Sequence, residues 1–219
     1  MLFSRFYRLK TFLLLLILVC MSACQGKQPN VTASDMRQLL FFDNFSRPGD
    51  LWVASIGAGG QAGHADGAFR IYVDAPNVNI WATPGLDLVD VSIETETIRV
   101  NGDRNNRFGV LCRYGEGPNF YVFLVSSDGY YGIGKIMGSK YRLLGAQTLL
   151  LSDQIPKGAQ SLHIRAECIQ DTLTLFINGQ QVHQVRDSEL ARGDVGLFAG
   201  AYDKPGTEVY FDNFAVYAP

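Results

Sequence analysis

Histidine, cysteine and tryptophan are scarce in this chain: three, four and two residues of 219. His64, His163 and His183 are scattered, with no cysteine or acid beside them at ligand spacing. Neither a local metal motif nor a Ser-His-Asp arrangement can be assembled from such a sequence. Lysine and arginine never cluster into a block, which excludes the basic footprint that nucleic acid requires. The longest apolar run, "TFLLLLILV", is too short to span a bilayer comfortably. Long stretches of helical periodicity are missing as well.

The N-terminus has its own character. Arg5, Arg8 and Lys10 precede the apolar run, and Ser22 and Ala23 follow it, just before Cys24. The string "MSAC" resembles a bacterial lipobox, with Met21 in place of the usual leucine. That resemblance implies a leader over 1–23, a lipid on Cys24, a polar tether over 24–40 and an exported domain over 41–219. The membrane partner is then lipid, and the domain faces the periplasm or exterior of a bacterial envelope. An ordinary secretory leader cut nearby is the other reading. A helical turn around "SDMRQLL" is a further expectation. The whole chain holds 19 basic and 21 acidic residues; without the three basic leader residues the balance is 16 to 21, a net charge of −5.

Export leaves two cysteines in the domain. Cys112 shares a face with Phe108 and Val110, and Cys168 with Ile164 and Ala166. Two cysteines on apolar faces in an oxidising compartment are disulfide candidates; two separate buried thiols are the alternative.

From Phe41 onward the pattern has period two. "FRIYVDA", "NFYVFLVSS", "LTLFING", "DVGLFAGAY" and "EVYFDNFAVY" are short aromatic and β-branched runs broken by Gly, Asn and Asp. Such a sequence predicts an all-β sandwich or barrel. Asp128-Gly129 and Asn178-Gly179 read as tight hairpin turns, and "RDSELARGD" as a loop with one helical turn. The string FDNF occurs at Phe42–Phe45 and again at Phe211–Phe214, which places the first and last strands side by side. Phenylalanines three apart cannot share one face of a regular strand. Either both faces are covered, or a bulge at Asp-Asn turns both rings inward.

The stretches "RFGVLCRYGEGPNFYVFLVSSDGYYGIGK", "LTLFINGQQV", "GDVGLFAG" and "VYFDNFAVY" resemble the concanavalin A-like lectin/glucanase superfamily. Within it, laminin-G-like and 3-keto-disaccharide hydrolase-type domains are the most similar. The resemblance implies a two-sheet antiparallel jelly-roll sandwich whose relatives bind or cut glycans. Many carbohydrate-binding sandwich modules of this kind hold a structural calcium near paired terminal strands, for which Asp43 and Asp212, with Asn44 and Asn213, are the candidate ligands; a hydrogen bond from each Asp to loop backbone at a strand end is the alternative.

Candidate chemistry is thin. Laminarinase-type relatives carry E-x-D-x-x-E, and the nearest run here is Glu94-Thr95-Glu96-Thr97-Ile98-Arg99. Glu94 and Glu96 would project from one face roughly 6.5–7 Å apart, between the retaining and inverting spacings; a solvated strand face explains them equally. Gly129, Gly134 and Lys135 have the spacing of a phosphate loop, but Ile136 replaces its Ser/Thr and the run is strand-like. Aromatics at polar positions suit the apolar face of a sugar ring: Tyr72, Trp81, Tyr130, Tyr131 and Tyr141. Glycan binding without catalysis is the leading expectation. Glycoside hydrolysis and a structural envelope lipoprotein with a protein partner are the alternatives.

The lipobox reading is checked directly. Cells given labelled fatty acid should label this protein and hold it in the detergent phase, and Cys24→Ser should abolish both. Undiminished labelling of the Ser variant overturns the assignment.

Overall fold

The computed structural model describes residues 37–55, 59–158 and 161–219. Every regular element among them is a strand. In chain order these are β1 (Leu39–Asp43), β2 (Val53–Ser55), β3 (Gly60–Ala65), β4 (Ala68–Val73), β5 (Asn79–Thr83) and β6 (Val91–Asn101). Next come β7 (Asn106–Tyr114), β8 (Asn119–Val125), β9 (Tyr130–Met137), β10 (Lys140–Leu143) and β11 (Leu150–Leu151). The last are β12 (Leu162–Ile169), β13 (Thr172–Ile177), β14 (Gln180–Arg186), β15 (Asp194–Ala201) and β16 (Thr207–Tyr217).

They form two eight-stranded sheets, all pairings antiparallel. Sheet A runs β14-β13-β12-β6-β16-β4-β3, with β1 also on β16; sheet B runs β10-β9-β8-β7-β15-β5-β2, with β11 on β9. The inward-facing residues alternate as expected: Ile164, Ala166 and Cys168 from sheet A meet Phe108, Val110 and Cys112 from sheet B in one core. The architecture is an all-β, two-sheet antiparallel jelly-roll sandwich.

Cys112 on β7 and Cys168 on β12 are joined by a disulfide that ties sheet B to sheet A, with Cα atoms 6.8 Å apart. Closing a loop of this length restricts the unfolded chain by about 4 kcal/mol. The Asn178-Gly179 turn has positive φ at both residues, 51° and 81°, as a type I′ hairpin requires. At Asp128-Gly129 only the glycine is left-handed, with φ 103°.

The two FDNF strings lie on paired strands. Phe42 faces Ala215 and Asp43 faces Phe214 across β1 and β16. The register against β6 slips by one residue between Asp212 and Ala215, and Asn213 takes φ 51° there. This bulge puts both Phe211 and Phe214 in the core, with no exposed area. The first copy resolves differently. Phe45 is buried but Phe42 is 51% exposed, and Phe41 packs toward the core instead. Phe41, Phe45, Trp52, Phe69 and Phe214 form a chain of ring contacts, Trp52 lying 5.0 Å from Phe214 and 5.4 Å from Phe45.

Two expectations about local structure change. Arg37–Leu40 lie in the fold rather than in a tether: the Arg37 guanidinium reaches Ser92 and Glu94, and Leu39 pairs with Tyr217. They are extended, not helical; the rest of the proposed turn, the leader and Cys24 lie outside the described residues. The segment after β14 has no helical turn either. It is held open by the buried Lys135 ammonium, which bonds both carboxylate oxygens of Asp187 at 2.9 and 2.6 Å and also Glu189.

Phe214→Ala should therefore cost about 3–5 kcal/mol in denaturant unfolding, while Phe42→Ala should cost under about 1 kcal/mol. Equal losses at the two positions would contradict the bulged register.

Candidate functional site

The side of sheet B facing away from the core carries a second apolar cluster. Leu111, Phe120, Val122, Leu124, Ile136 and Phe198 compose it, all buried, with Trp81 and Tyr114 packed against them. The cause lies in the strands: β8 reads Asn-Phe-Tyr-Val-Phe-Leu-Val, so Phe120, Val122 and Leu124 point one way while Tyr121, Phe123 and Val125 enter the core. Trp81 lies 5.2 Å from Phe120, and Phe120 lies 5.8 Å from Tyr114. Tyr141 lays its ring across Gly134, and Leu143 with Leu149 lies over Gly132; side chains at those glycines would collide with them.

One end of this face is polar. Gly200 on β15 is flanked directly by Asn79 on β5 and Arg107 on β7. With no side chain at Gly200, Asn79 Oδ1 and Arg107 Nε close on the space where its Cβ would be. Among the described residues neither atom has a hydrogen-bond partner, and Trp81 Nε1 has none either. Buried polar atoms are normally paired, by protein or by ordered water, so these three call for an explanation. The Arg107 guanidinium stacks 4.1 Å from the centre of the Tyr202 ring and donates to Ala201 O at 3.3 Å. Beside Tyr202 lies a cleft of about 410 Å³ lined by Asn105, Ser126, Asp128, Tyr130, Thr148 and Leu149. Ser126 Oγ donates to Asp128 at 2.5 Å. The Tyr141 hydroxyl is pushed above its ordinary range by desolvation and by the nearby Tyr202 phenol, while Arg107 pulls it back.

Of the five aromatics singled out in sequence, Trp81, Tyr130 and Tyr141 belong to this side of the molecule. Tyr131 does not: it is buried in the core, donates to Val182 O at 3.0 Å and packs on His183. Tyr72 lies on sheet A, 4.9 Å beneath the Arg70 guanidinium. Arg107, Asn79 and Tyr202 were not anticipated. They come from distant parts of the chain, and only strand pairing brings them together.

Glu94 and Glu96 occupy the outer face of sheet A, away from this notch. Glu94 accepts from Arg37 at 2.5 Å and pairs with His163 at 3.4 Å. The hydrogen bond from His163 and the Arg37 contact draw its carboxyl down to about 2 against desolvation. A carboxyl ionised that firmly cannot deliver a proton near neutral pH. Glu96 is exposed beside Asn213.

The calcium candidates each hold a local hydrogen bond. Asp43 shares the core-facing side of its pair with Phe214, whereas Asp212 follows inward-facing Phe211 and points outward. Both oxygens of Asp43 are taken, Oδ1 by the Phe45 amide at 2.7 Å and Oδ2 by the Trp52 indole at 2.9 Å. Asp212 accepts from the Asn213 amide at 2.7 Å. The two carboxylates cap the backbone at a corner and a bulge. Among the described residues no group of three or more His, Cys, Asp or Glu is placed to hold a metal.

Solved structures agree on the architecture. The chain is similar to the carbohydrate-binding module CBM66 from Bacillus subtilis, with a TM-score of 0.63 at 14% identity over 77% of this chain and 96% of that one. A Bacillus subtilis protein of unknown function with a galectin-like fold gives 0.59 at 14% identity, over 82% and 96%. Bacillus licheniformis β-glucanase gives 0.58 at 9% identity, over 83% and 98%. The fold is the concanavalin A-like sandwich. No family model and no curated protein matches the sequence. Identities this low speak for the fold alone.

The Glu94 cluster gives a signed pH prediction. The carboxyl titrates near 2 when folded, below its ordinary 4.5, so its stabilisation is present above about 4.5 and is lost as pH falls toward 2. His163 is shifted up from 6.5, first by its hydrogen bond to Glu94; its share is complete below 6.5 and fades as pH rises through the raised value. Glu94→Gln should lose on the order of 1–3 kcal/mol at pH 5–6 and almost nothing near pH 2. Thermal unfolding across that range reads the difference.

Proposed function

We propose that this domain binds carbohydrate without cleaving it, on the outer face of sheet B, and that a lipid on Cys24 holds it to a bacterial membrane. One observation carries the reading: among the described residues Trp81 Nε1, Arg107 Nε and Asn79 Oδ1 stand unpaired beside a cluster of aromatic rings. Two N–H donors and one acceptor around a notch match sugar hydroxyls, which both accept and donate. Trp81, Tyr202 and Tyr130 supply flat apolar surface for the C–H face of a pyranose. Leaving such donors and the acceptor unpaired costs the folded protein about 1–3 kcal/mol each, a cost that a ligand recovers. The likeness to a carbohydrate-binding module supports the same reading, because it covers most of both chains.

Binding is favoured over hydrolysis by the acids. Glycosidases of the usual kinds need two carboxyl groups flanking the scissile bond. The cleft beside Tyr202 is lined by one carboxylate among the described residues, Asp128, and Ser126 already holds it.

Glycan-array binding by the mature protein tests this. Trp81→Phe keeps the ring and removes the N–H, and should weaken binding about three- to tenfold, the worth of one hydrogen bond. Arg107→Ala should weaken it by tenfold or more, and Tyr72→Ala on the other sheet should leave it unchanged. Prolonged incubation should release no product. Loss of binding with Tyr72→Ala alone, or released sugar, contradicts the reading.

A further inference from the structure

The first strands of the folded chain divide their side chains into two sets. Phe41, Phe45 and Trp52 turn inward: the Trp52 ring lies 6.3 Å from Phe41 and 5.4 Å from Phe45, and its indole donates to Asp43 at 2.9 Å. Alternation then sends their neighbours to water. Leu39, Leu40, Phe42, Leu51 and Val53 are each 40–69% exposed. Half of the ten large apolar and aromatic side chains exposed among the described residues thus fall within 39–53. The bond between Trp52 and Asp43 keeps them on one rim of the sandwich, where β1 enters and β2 begins. Single exposed apolar residues are ordinary, whereas a gathered set marks a contact surface. Phe42 points out from sheet A beside Ala215 and Val53 out from sheet B beside Thr83, so the set wraps the edge.

We propose that this rim rests in the surface of the membrane that holds the lipid on Cys24, with Phe42, Leu51 and Val53 among headgroups and upper acyl chains. The inference rests on the lipid-anchor reading and gives the anchored domain a membrane-facing edge. Chain length selects lipid as the occupant. Cys24 and Leu39 are fifteen residues apart, a span of at most about 50 Å at full stretch. The exposed set therefore lies beside the point where the domain is tied down. Tethering makes docking an intramolecular event, for which a few apolar side chains suffice. Shape argues the same way, since a fluid interface closes around an edge while a rigid partner meets one side of it. The edge is also poorly built for pairing with another chain's strand. β1 is five residues long and bulged between Leu39 and Phe41, and β2 is three residues long. At the margin the Arg37 guanidinium lies 4.4 Å from the ring of half-buried Tyr217, and both side-chain types favour the headgroup level.

The test places photoreactive benzoylphenylalanine at Phe42, and separately at Val53, in the full-length protein, and irradiates membranes of the cells that make it. Mass spectrometry should find phospholipid adducts at both positions. They should exceed at least fivefold those from the same substitution at Leu151, which is exposed on β11 at the opposite edge of sheet B. Adding Cys24→Ser should lower the adducts tenfold or more, because the tether is then gone. Cross-links from position 42 to a second copy or to another protein, or lipid adducts no more frequent than at Leu151, overturn the proposal. A protein that takes up labelled fatty acid at Cys24 yet gives no phospholipid adduct at 42 or 53 loses the docking edge and keeps its anchor. Adducts at both positions in a protein that carries no lipid on Cys24 support the edge and remove the anchor.

Discussion

One extra residue in β16 decides how this sandwich closes. Strict alternation from Val209 and Phe211 would send Asn213 into the core and Phe214 out to water. The slip between Asp212 and Ala215 reverses that, so Val209, Phe211, Phe214 and Val216 all face inward. Asn tolerates the left-handed backbone that this demands better than most residues. Phe214 then supplies the surface on which Trp52 and Phe41 pack, and the Trp52 indole in turn engages Asp43. The first strand is thus fixed by a fault in the last one. Outside the sheet, the same slip places Asn213 beside Glu96 and leaves Asp212 on the face opposite Asp43.

The two sheets meet water under different terms. Sheet A follows the half-buried pattern: its outer face carries Arg37, Glu94, His163, Arg165, Glu167, Arg70 and Glu208, matched in ion pairs. Sheet B is apolar on both sides through β7, β8 and β15. A strand buried on both faces reads as a continuous hydrophobic run, and "NFYVFLV" is one. The sequence made the strands and the class of fold legible, because β-branched runs and Asn-Gly or Asp-Gly turns act over a few residues. It could not say which face of a doubly apolar strand meets the other sheet. That is a property of pairing, not of any window of the chain.

The same distinction separates the parts of the site that could be read from those that could not. Trp81 and Tyr141 stood out as aromatics among polar neighbours, and each lies on the sheet B side. Tyr131 looked the same in sequence, yet its neighbour Tyr130 takes the outward position and leaves it in the core. Asn79, Arg107 and Tyr202 gave no signal, being ordinary polar residues near strand ends. The one local clue was Gly200 in "LFAGAY", a glycine inside a strand, which often marks close approach of other groups. Its meaning required the two flanking strands. The acids at Glu94 and Glu96 show the opposite error: a motif-like spacing on one strand whose partners, Arg37 and His163, make it a structural ion cluster.

Arg107 is where these arguments meet. Sheet A neutralises its exposed cations with carboxylates, and the buried Lys135 does the same with Asp187 and Glu189. Arg107 has no such partner among the described residues; it has a ring face and one carbonyl. A guanidinium is weakly hydrated and can rest on an aromatic at modest cost, so the fold tolerates the arrangement without being strengthened by it. A nearby carboxylate would serve stability better, but it would also occupy Arg107 Nε, the donor that faces Asn79 across Gly200. The unpaired state keeps that donor available. Stability alone gives no reason to leave Nε, Oδ1 and the Trp81 indole N–H all unmatched on one face. The carbohydrate-binding reading proposed above supplies one: a ligand that brings its own hydroxyls.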